Sequence, residues 1–250
     1  MSSYDFANVL FAGPCNRTCL FCIGKSVDNA LNQNNLHLFP PKNWQQFCNT
    51  VHEFSIPELI FTGTTTDPHL YNYERQLIEL SRTMLPNVKI SVHTNGVLSL
   101  KKIDTFNMYD RATVSLPSFD TGVYQKVMGR GRPIDLRQLL QQATIPVKIS
   151  TVITEHNIAT MTDFLNQLSD LGIHRVALRH LFEDDRRWNL FDDIEPVSYY
   201  RNNPVYLYRG MQVTYWHFDT TESRSINLFA NGTISDKYLL TMAATSKAPL

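Results

Sequence analysis

The chain has 250 residues, enough for one domain with a large core plus a small appendage, and its 43% hydrophobic and 18% charged residues exclude long disordered tracts. Lys plus Arg and Asp plus Glu balance at 23 each, so no net field draws the chain to a polyanion or an anionic membrane, which disfavours a dedicated nucleic-acid binder. Residues 1–5 lack the basic start and apolar run of a signal peptide and no later run has membrane-spanning length, so a cytoplasmic protein with no membrane partner is expected.

Residues 8–12, an apolar β-like run, stop at Gly13-Pro14 and open into a segment holding three of the four cysteines. After a polar, Asn-rich loop over residues 28–35, Trp44, Phe47, Cys48, Val51 and Phe54 recur at helical spacing, with Pro41 near the start. The alternation repeats. Strands are predicted over residues 58–62, 88–94, 112–116, 147–154 and 175–181. Between them lie helical stripes through Leu70 to Met84, Leu100 to Phe106, Leu136 to Ala143 and Met161 to Leu171. Six strands separated by helices call for a parallel sheet, which a partial barrel and an open doubly wound sheet satisfy equally. Past residue 182 the rhythm changes. A charged segment over residues 183–187 precedes β-like runs at 211–218 and 224–230, and Asn231-Gly232 marks a turn. The reading is a core over residues 1–182 and a β-rich C-terminal extension over 183–250 that covers one end of the sheet.

Cys15-Asn16-Arg17-Thr18-Cys19-Leu20-Phe21-Cys22 places three soft ligands in one short loop, a pattern unlike a disulfide framework and suited to an iron-sulfur cluster or zinc. Three thiolates on a four-iron cluster would leave one iron open to a cofactor or substrate. Two other readings stand beside this one: a zinc site completed by His37 or Cys48, and thiols without a ligand. Structural zinc usually pairs two separated knuckles, no second knuckle follows, and Cys48 lies on an apolar stripe as a core residue does.

The spacing Cys15-x-x-x-Cys19-x-x-Cys22, with Phe21 before the third cysteine and the whole segment after the first strand, resembles the signature of radical S-adenosylmethionine enzymes. The resemblance implies a partial (β/α)6 barrel, a [4Fe-4S] cluster on Cys15, Cys19 and Cys22, and S-adenosyl-L-methionine chelated at the open iron. It further implies one-electron cleavage to a 5′-deoxyadenosyl radical that takes hydrogen from substrate, with a flavodoxin- or ferredoxin-type electron donor.

Further segments are similar to the single-cluster core of the branch that includes the GTP cyclase of molybdenum-cofactor synthesis. Gly63, Thr64, Thr65 and Asp67 stand where that branch has Gly-Gly-Glu-Pro, with one glycine and the glutamate replaced. Thr94 and Asn95 match its Thr-Asn-Gly, and Ser115 matches a serine that contacts the cofactor. Lys148 stands where the cyclase uses a lysine on its nucleotide, and Arg179 ends the sixth strand. These residues sit at or near the C-terminal ends of strands, the face on which barrel sites are built. The C-terminal part departs from the cyclase, because no cysteines remain there to hold a second cluster.

On the substrate side, Gly129-Arg130-Gly131-Arg132-Pro133, together with Arg17, Lys25, Arg186 and Arg187, offers guanidinium and ammonium groups to an anion. Tyr199, Tyr200, Tyr206 and Tyr208 suit either base stacking or packing of the extension, and His93 or His180 suits acid-base chemistry. The expected function is a radical enzyme for a small polar or nucleotide-like molecule. The alternatives are a peptide or protein substrate, or a non-catalytic zinc- or cluster-binding module.

Overall fold

The computed structural model describes residues 4–182, 184, 186, 188–218 and 220–237. Its core is a run of βα units. β1 (Phe6–Phe11) is buried on both faces, as a strand inside a parallel sheet must be. It is followed by α1 (Trp44–Glu53), β2 (Glu58–Gly63), α2 (Glu74–Met84), β3 (Lys89–Thr94), α3 (Ile103–Phe106) and β4 (Arg111–Ser115). Next come α4 (Thr121–Met128), α5 (Leu136–Gln142), β5 (Val147–Val152), α6 (Met161–Asp170) and β6 (Arg175–Arg179). β1 to β6 pair in sequence order and all in parallel, which forms the partial (β/α)6 barrel.

Alternate residues on each strand split between two environments. Ala7, Val9, Phe11, Leu59, Phe61, Ile90, Val92, Ala112, Val114, Ile149, Val176 and Leu178 pack under the helices in one core. Their neighbours along the strands, among them His93, Ser115, Lys148 and Arg179, turn to the concave side. The stripe that predicts α1 is the one it buries: Trp44, Phe47, Cys48 and Val51.

α4 is an element that apolar spacing alone did not announce. Its start is a capped one, with the Asp120 side chain accepting from Val123 N–H at 2.7 Å, and Gly129 ends it at φ +83°. The predicted helix over residues 100–106 contracts to α3, a single turn.

The strands after residue 182 extend the sheet at both edges. β7 (Ser198–Tyr200), β8 (Asn203–Tyr208) and β9 (Met211–Trp216) form an antiparallel meander, and β9 pairs parallel to β6. β10 (Ser225–Leu228) pairs parallel to β1 and carries β11 (Ile234–Ser235) beyond the turn at Asn231-Gly232. β7 and β8 escaped the sequence reading because their turns lack the usual Asn-Gly or Asp-Gly signal. Arg201-Asn202 and Arg209-Gly210 take positive φ at both central positions, the conformation of a type I′ hairpin.

One buried polar network lies in the core beneath β2 and β3. His69 Nδ1 meets Glu74 Oε1 at 2.7 Å, Tyr109 donates to the same oxygen at 2.9 Å, and Lys102 Nζ meets Glu74 Oε2 at 3.0 Å. His69 Nε2 lies 3.1 Å from Ser99 Oγ. Among the described residues, no helix is long and apolar enough to cross a membrane.

Candidate active site

The cysteine loop leaves the C-terminal end of β1 and is gripped from two sides. On one side is the end of α4. Thr18 N–H donates to Met128 O at 3.1 Å, Leu20 N–H to Val127 O at 2.9 Å, and Arg130 Nη2 to Cys15 O at 2.6 Å. Arg17 donates from Nε to Tyr124 Oη at 3.0 Å and from Nη2 to Arg132 O at 3.4 Å. The Gly-Arg-Gly-Arg segment thus wraps the cysteine loop, and its approach requires glycine: a Cβ on Gly129 would lie 2.1 Å from Thr18 Oγ1. Lys25 Nζ donates to Cys19 O at 3.0 Å, so this cation is also tied to the loop.

On the other side is the turn after β2. Gly13 N–H donates to Thr65 Oγ1 at 3.0 Å, Thr66 Oγ1 to Pro14 O at 2.6 Å, and Thr64 N–H to Phe11 O at 2.8 Å. Cys22 Sγ lies 3.5 Å from Thr64 O. Gly63 makes the turn possible, since a Cβ there would fall 1.8 Å from Thr66 O. Gly63→Ala is therefore expected to cost on the order of 2–3 kcal/mol, to be read as a lower denaturation midpoint, with reduced iron retention as the turn and Cys22 move apart.

Asp67 joins this turn to the next strand end. Its carboxylate accepts from Thr94 Oγ1 at 2.9 and 3.0 Å, from Asn95 N–H at 2.6 Å and from His69 N–H at 3.0 Å, and it is only 3% exposed. The acid, Thr94 and Asn95 expected near the cofactor thus form one hub. Asn95 carries the hub to the cysteines, with Nδ2 2.8 Å from Asn16 Oδ1 and 4.0 Å from Cys15 Sγ. Phe21 is partly buried against the core beside the cysteines.

Ser115, Lys148 and Arg179 lie on the concave side of β4, β5 and β6, where each keeps some exposed surface; Ser115 and Arg179 end their strands as expected, whereas Lys148 is the second residue of β5, opposite Thr113, and so sits toward the N-terminal end. Burial, together with Arg179, Arg175 and Arg111, pushes the Lys148 ammonium down to about 7. Burial, with Lys148, Arg179 and Arg111 nearby, holds His93 well below the ordinary imidazole range. Lys148 and Arg179 thus put two basic groups on this side, while Arg111 beside them is paired with Glu58, whose charge acts to raise Lys148.

The remaining candidates are engaged with other partners or exposed. His180 stacks on His217 with centroids 5.5 Å apart, and Arg186 pairs with Asp184 and Glu155. Tyr199 and Tyr200 are exposed on β7, while Tyr206 stacks on Phe191 with centroids 4.5 Å apart and Tyr208 packs on the same ring. Glu183, Asp185 and Arg187 lie outside the described residues. Asn16, Tyr124, Met128 and the His69 network belong to the site's support and carried no sequence signal, because most of their partners lie far along the chain.

The thiols fit a cluster. Burial raises Cys15, and burial with the neighbouring Cys22 and Cys15 pushes Cys19 up to about 12. Cys15 and Cys19 therefore stay neutral on their own and become thiolates only against a cationic centre. Among the described residues, no three His, Cys, Asp or Glu side chains converge on a point fit for one ion. The three sulfurs are near enough for the charge of one to act on another. Asn16 Nδ2, buried and without a partner among the described residues, is a donor left for a group bound beside Cys15.

The sequence is similar to two archaeal proteins described as probable GTP 3′,8-cyclases. The one from Sulfurisphaera tokodaii is 25% identical over 208 residues, covering 78% of this chain and 62% of the relative. That from Methanococcus aeolicus is 22% identical over 233 residues, covering 83% and 75%. This chain thus spans less than two thirds of the Sulfurisphaera relative's length. Among solved structures, Streptococcus suis SuiB bound to S-adenosylmethionine superposes with a TM-score of 0.57 at 15% identity, covering 76% of this chain and 42% of SuiB. SuiB bound to its precursor peptide SuiA gives 0.58 at 17% identity, covering 73% and 40%. These likenesses show the fold. The sequence pattern of the Radical SAM superfamily matches residues 9–177, more than half of the chain. With its cysteines on the loop after the first strand of a partial barrel, this chain belongs to the radical SAM superfamily of enzymes, whose members use a [4Fe-4S] cluster and S-adenosylmethionine.

Proposed function

We propose that Cys15, Cys19 and Cys22 hold a [4Fe-4S] cluster with one iron open to S-adenosyl-L-methionine, and that the substrate is a small polar or nucleotide-like molecule. The three neighbouring thiols in their family spacing carry the reading. When bound, the cluster and S-adenosylmethionine supply one-electron cleavage of the sulfonium to a 5′-deoxyadenosyl radical, which takes a hydrogen atom from the substrate. The chain's own residues position the partners. The turn over Gly63, Thr64 and Thr65, held by Asp67, offers backbone groups beside Cys22, and Thr94, Asn95 and Ser115 line the adjoining strand ends.

Lys148 and Arg179 support an anionic substrate such as a nucleotide, in keeping with the names of the archaeal relatives. Residues 1–182 are assigned as the catalytic core and 183–250 as its extension. The thiols, all free, suit a reducing cytoplasm with a flavodoxin- or ferredoxin-type donor.

The deciding experiment is anaerobic reconstitution followed by mass spectrometry of 5′-deoxyadenosine, with S-adenosylmethionine, dithionite and GTP as the first substrate. Release by the native protein and none by Cys19→Ala is expected. No release from protein with a confirmed cluster and a panel of small anions would overturn the small-molecule reading, and release on adding peptides would favour the peptide alternative.

Lys148 offers a separate test that needs no cluster. Competitive acetylation is expected to give this lysine a midpoint near pH 7 against the ordinary range near 10 for exposed lysines. Because its folded pKa is depressed, charging it opposes folding, so stability rises with pH from about 7 to about 10. Lys148→Met should raise the melting temperature at pH 6 and change it little at pH 10. A midpoint at the ordinary value would show that Lys148 is neither buried nor crowded by Arg179.

A further inference from the structure

Two side-chain amides stand beside Cys15, and their orientations are fixed. Asn95 accepts Val97 N–H through Oδ1 at 3.1 Å, which leaves Nδ2 facing the cysteine loop. Its backbone N–H is anchored on Asp67, and Thr94 Oγ1 holds the same carboxylate while accepting Gly96 N–H at 3.0 Å. That Nδ2 donates to Asn16 Oδ1 at 2.8 Å and has its second hydrogen toward Cys15 Sγ, 4.0 Å away. The oxygen of Asn16 takes up both Asn95 Nδ2 and the Cys15 thiol, 3.8 Å away, so its own Nδ2 points away from these contacts, and this nitrogen is buried with no partner among the described residues. Arg17 N–H adds a backbone donor 3.5 Å from the same sulfur.

A buried donor without a partner is costly, and a donor placed by three successive hydrogen bonds is not free to turn elsewhere. Cluster potentials depend on hydrogen bonds to the sulfurs, because N–H donors stabilise the more negative, reduced state more than the oxidised one. We propose that Asn16 and Asn95 are amide donors to the sulfurs on the Cys15 side of the cluster and raise its reduction potential, so that the physiological donor can reduce it. This rests on the assignment of Cys15, Cys19 and Cys22 as ligands. The carboxylate of Asp67 is the positioning residue of the arrangement, holding Asn95 at its backbone.

The test is a redox titration of reconstituted protein followed by electron paramagnetic resonance, comparing the native chain with Asn16→Leu and Asn95→Leu, which keep the side-chain size and lose the donors. Each variant is expected to keep its iron and to shift the one-electron reduction equilibrium about tenfold toward the oxidised cluster, ~59 mV more negative. Full iron content with an unchanged midpoint in both variants overturns the proposal. A measurement without substitution covers the case of a variant that fails to assemble. In native protein labelled with 15N at asparagine, the reduced cluster should show weak hyperfine coupling to an amide nitrogen, and its absence overturns the proposal. Native protein that binds no iron would sink the ligand assignment instead, so the two failures are told apart by iron content.

Discussion

Cys19→Ala is expected to leave a folded chain that retains essentially no cluster iron and releases no 5′-deoxyadenosine, whereas Cys48→Ala keeps both properties. Cys19 is the middle ligand of the loop, and its backbone is fixed at both neighbours by the end of α4 and at its own carbonyl by Lys25. Its sulfur rests 3.7 Å from the Met128 sulfur, in partly apolar surroundings that disfavour a free thiolate. Removing it leaves two thiols, too few to hold the cluster with one iron kept open. Folding should survive, because the backbone bonds of the loop to α4 and to the turn after β2 do not use the sulfur. Cys48 is 3% exposed in the α1 stripe, and truncating it should cost about 1 kcal/mol of packing and no iron. Iron analysis and circular dichroism on the same samples decide the matter. Native iron content in Cys19→Ala would defeat the ligand assignment.

Glu74→Leu carries the second large effect, a loss of about 3–5 kcal/mol in unfolding free energy, because removing one partner of a buried pair strands the others. Glu74 faces His69, Tyr109 and Lys102 at once, and it is 2% exposed. Burial alone would raise its carboxyl, yet His69 and Lys102 pull it below the ordinary range. Burial alone would likewise lower His69, but the Glu74 charge and hydrogen bond raise it. The pH window follows from these signs. The Glu74 contribution is full above its unfolded pKa near 4.5 and is lost as pH falls through the depressed folded value. The His69 contribution is full below its unfolded pKa near 6.5 and fades as pH rises through the raised folded value. Their sum is greatest between about pH 4.5 and 6.5. Chemical denaturation across pH should show this maximum in the native chain and lose it in Glu74→Leu. A variant with native stability would show that the network does not support the core.

The same network bears on the site. The His69 backbone N–H donates to Asp67, which holds Asn95 near Cys15, so Glu74→Leu should also shift the cluster midpoint in the direction of Asn95→Leu while a ligand is left untouched. In that respect it differs from Lys148→Met, which leaves the cysteine loop intact.

The order of strands and helices was legible along the chain because the apolar spacing of each element survives within ten or so residues. Val9 and Phe11, Trp44 to Val51 and Phe164 to Leu168 announce their own structures. The three cysteines were legible for the same reason, being a local motif. α4 is short and depends on a cap and a glycine, and β7 and β8 turn through Arg-Asn and Arg-Gly, so local pattern understated all three. What the folded chain alone decided is which distant residues meet: that Gly129 and Arg130 close over Cys15 to Thr18, that Asp67 faces inward to bind Thr94 and Asn95, and that Lys148 shares the concave side with Arg179. A motif is set by separations of a few residues, whereas a site is set by the twist and pairing of strands that bring together side chains tens of residues apart.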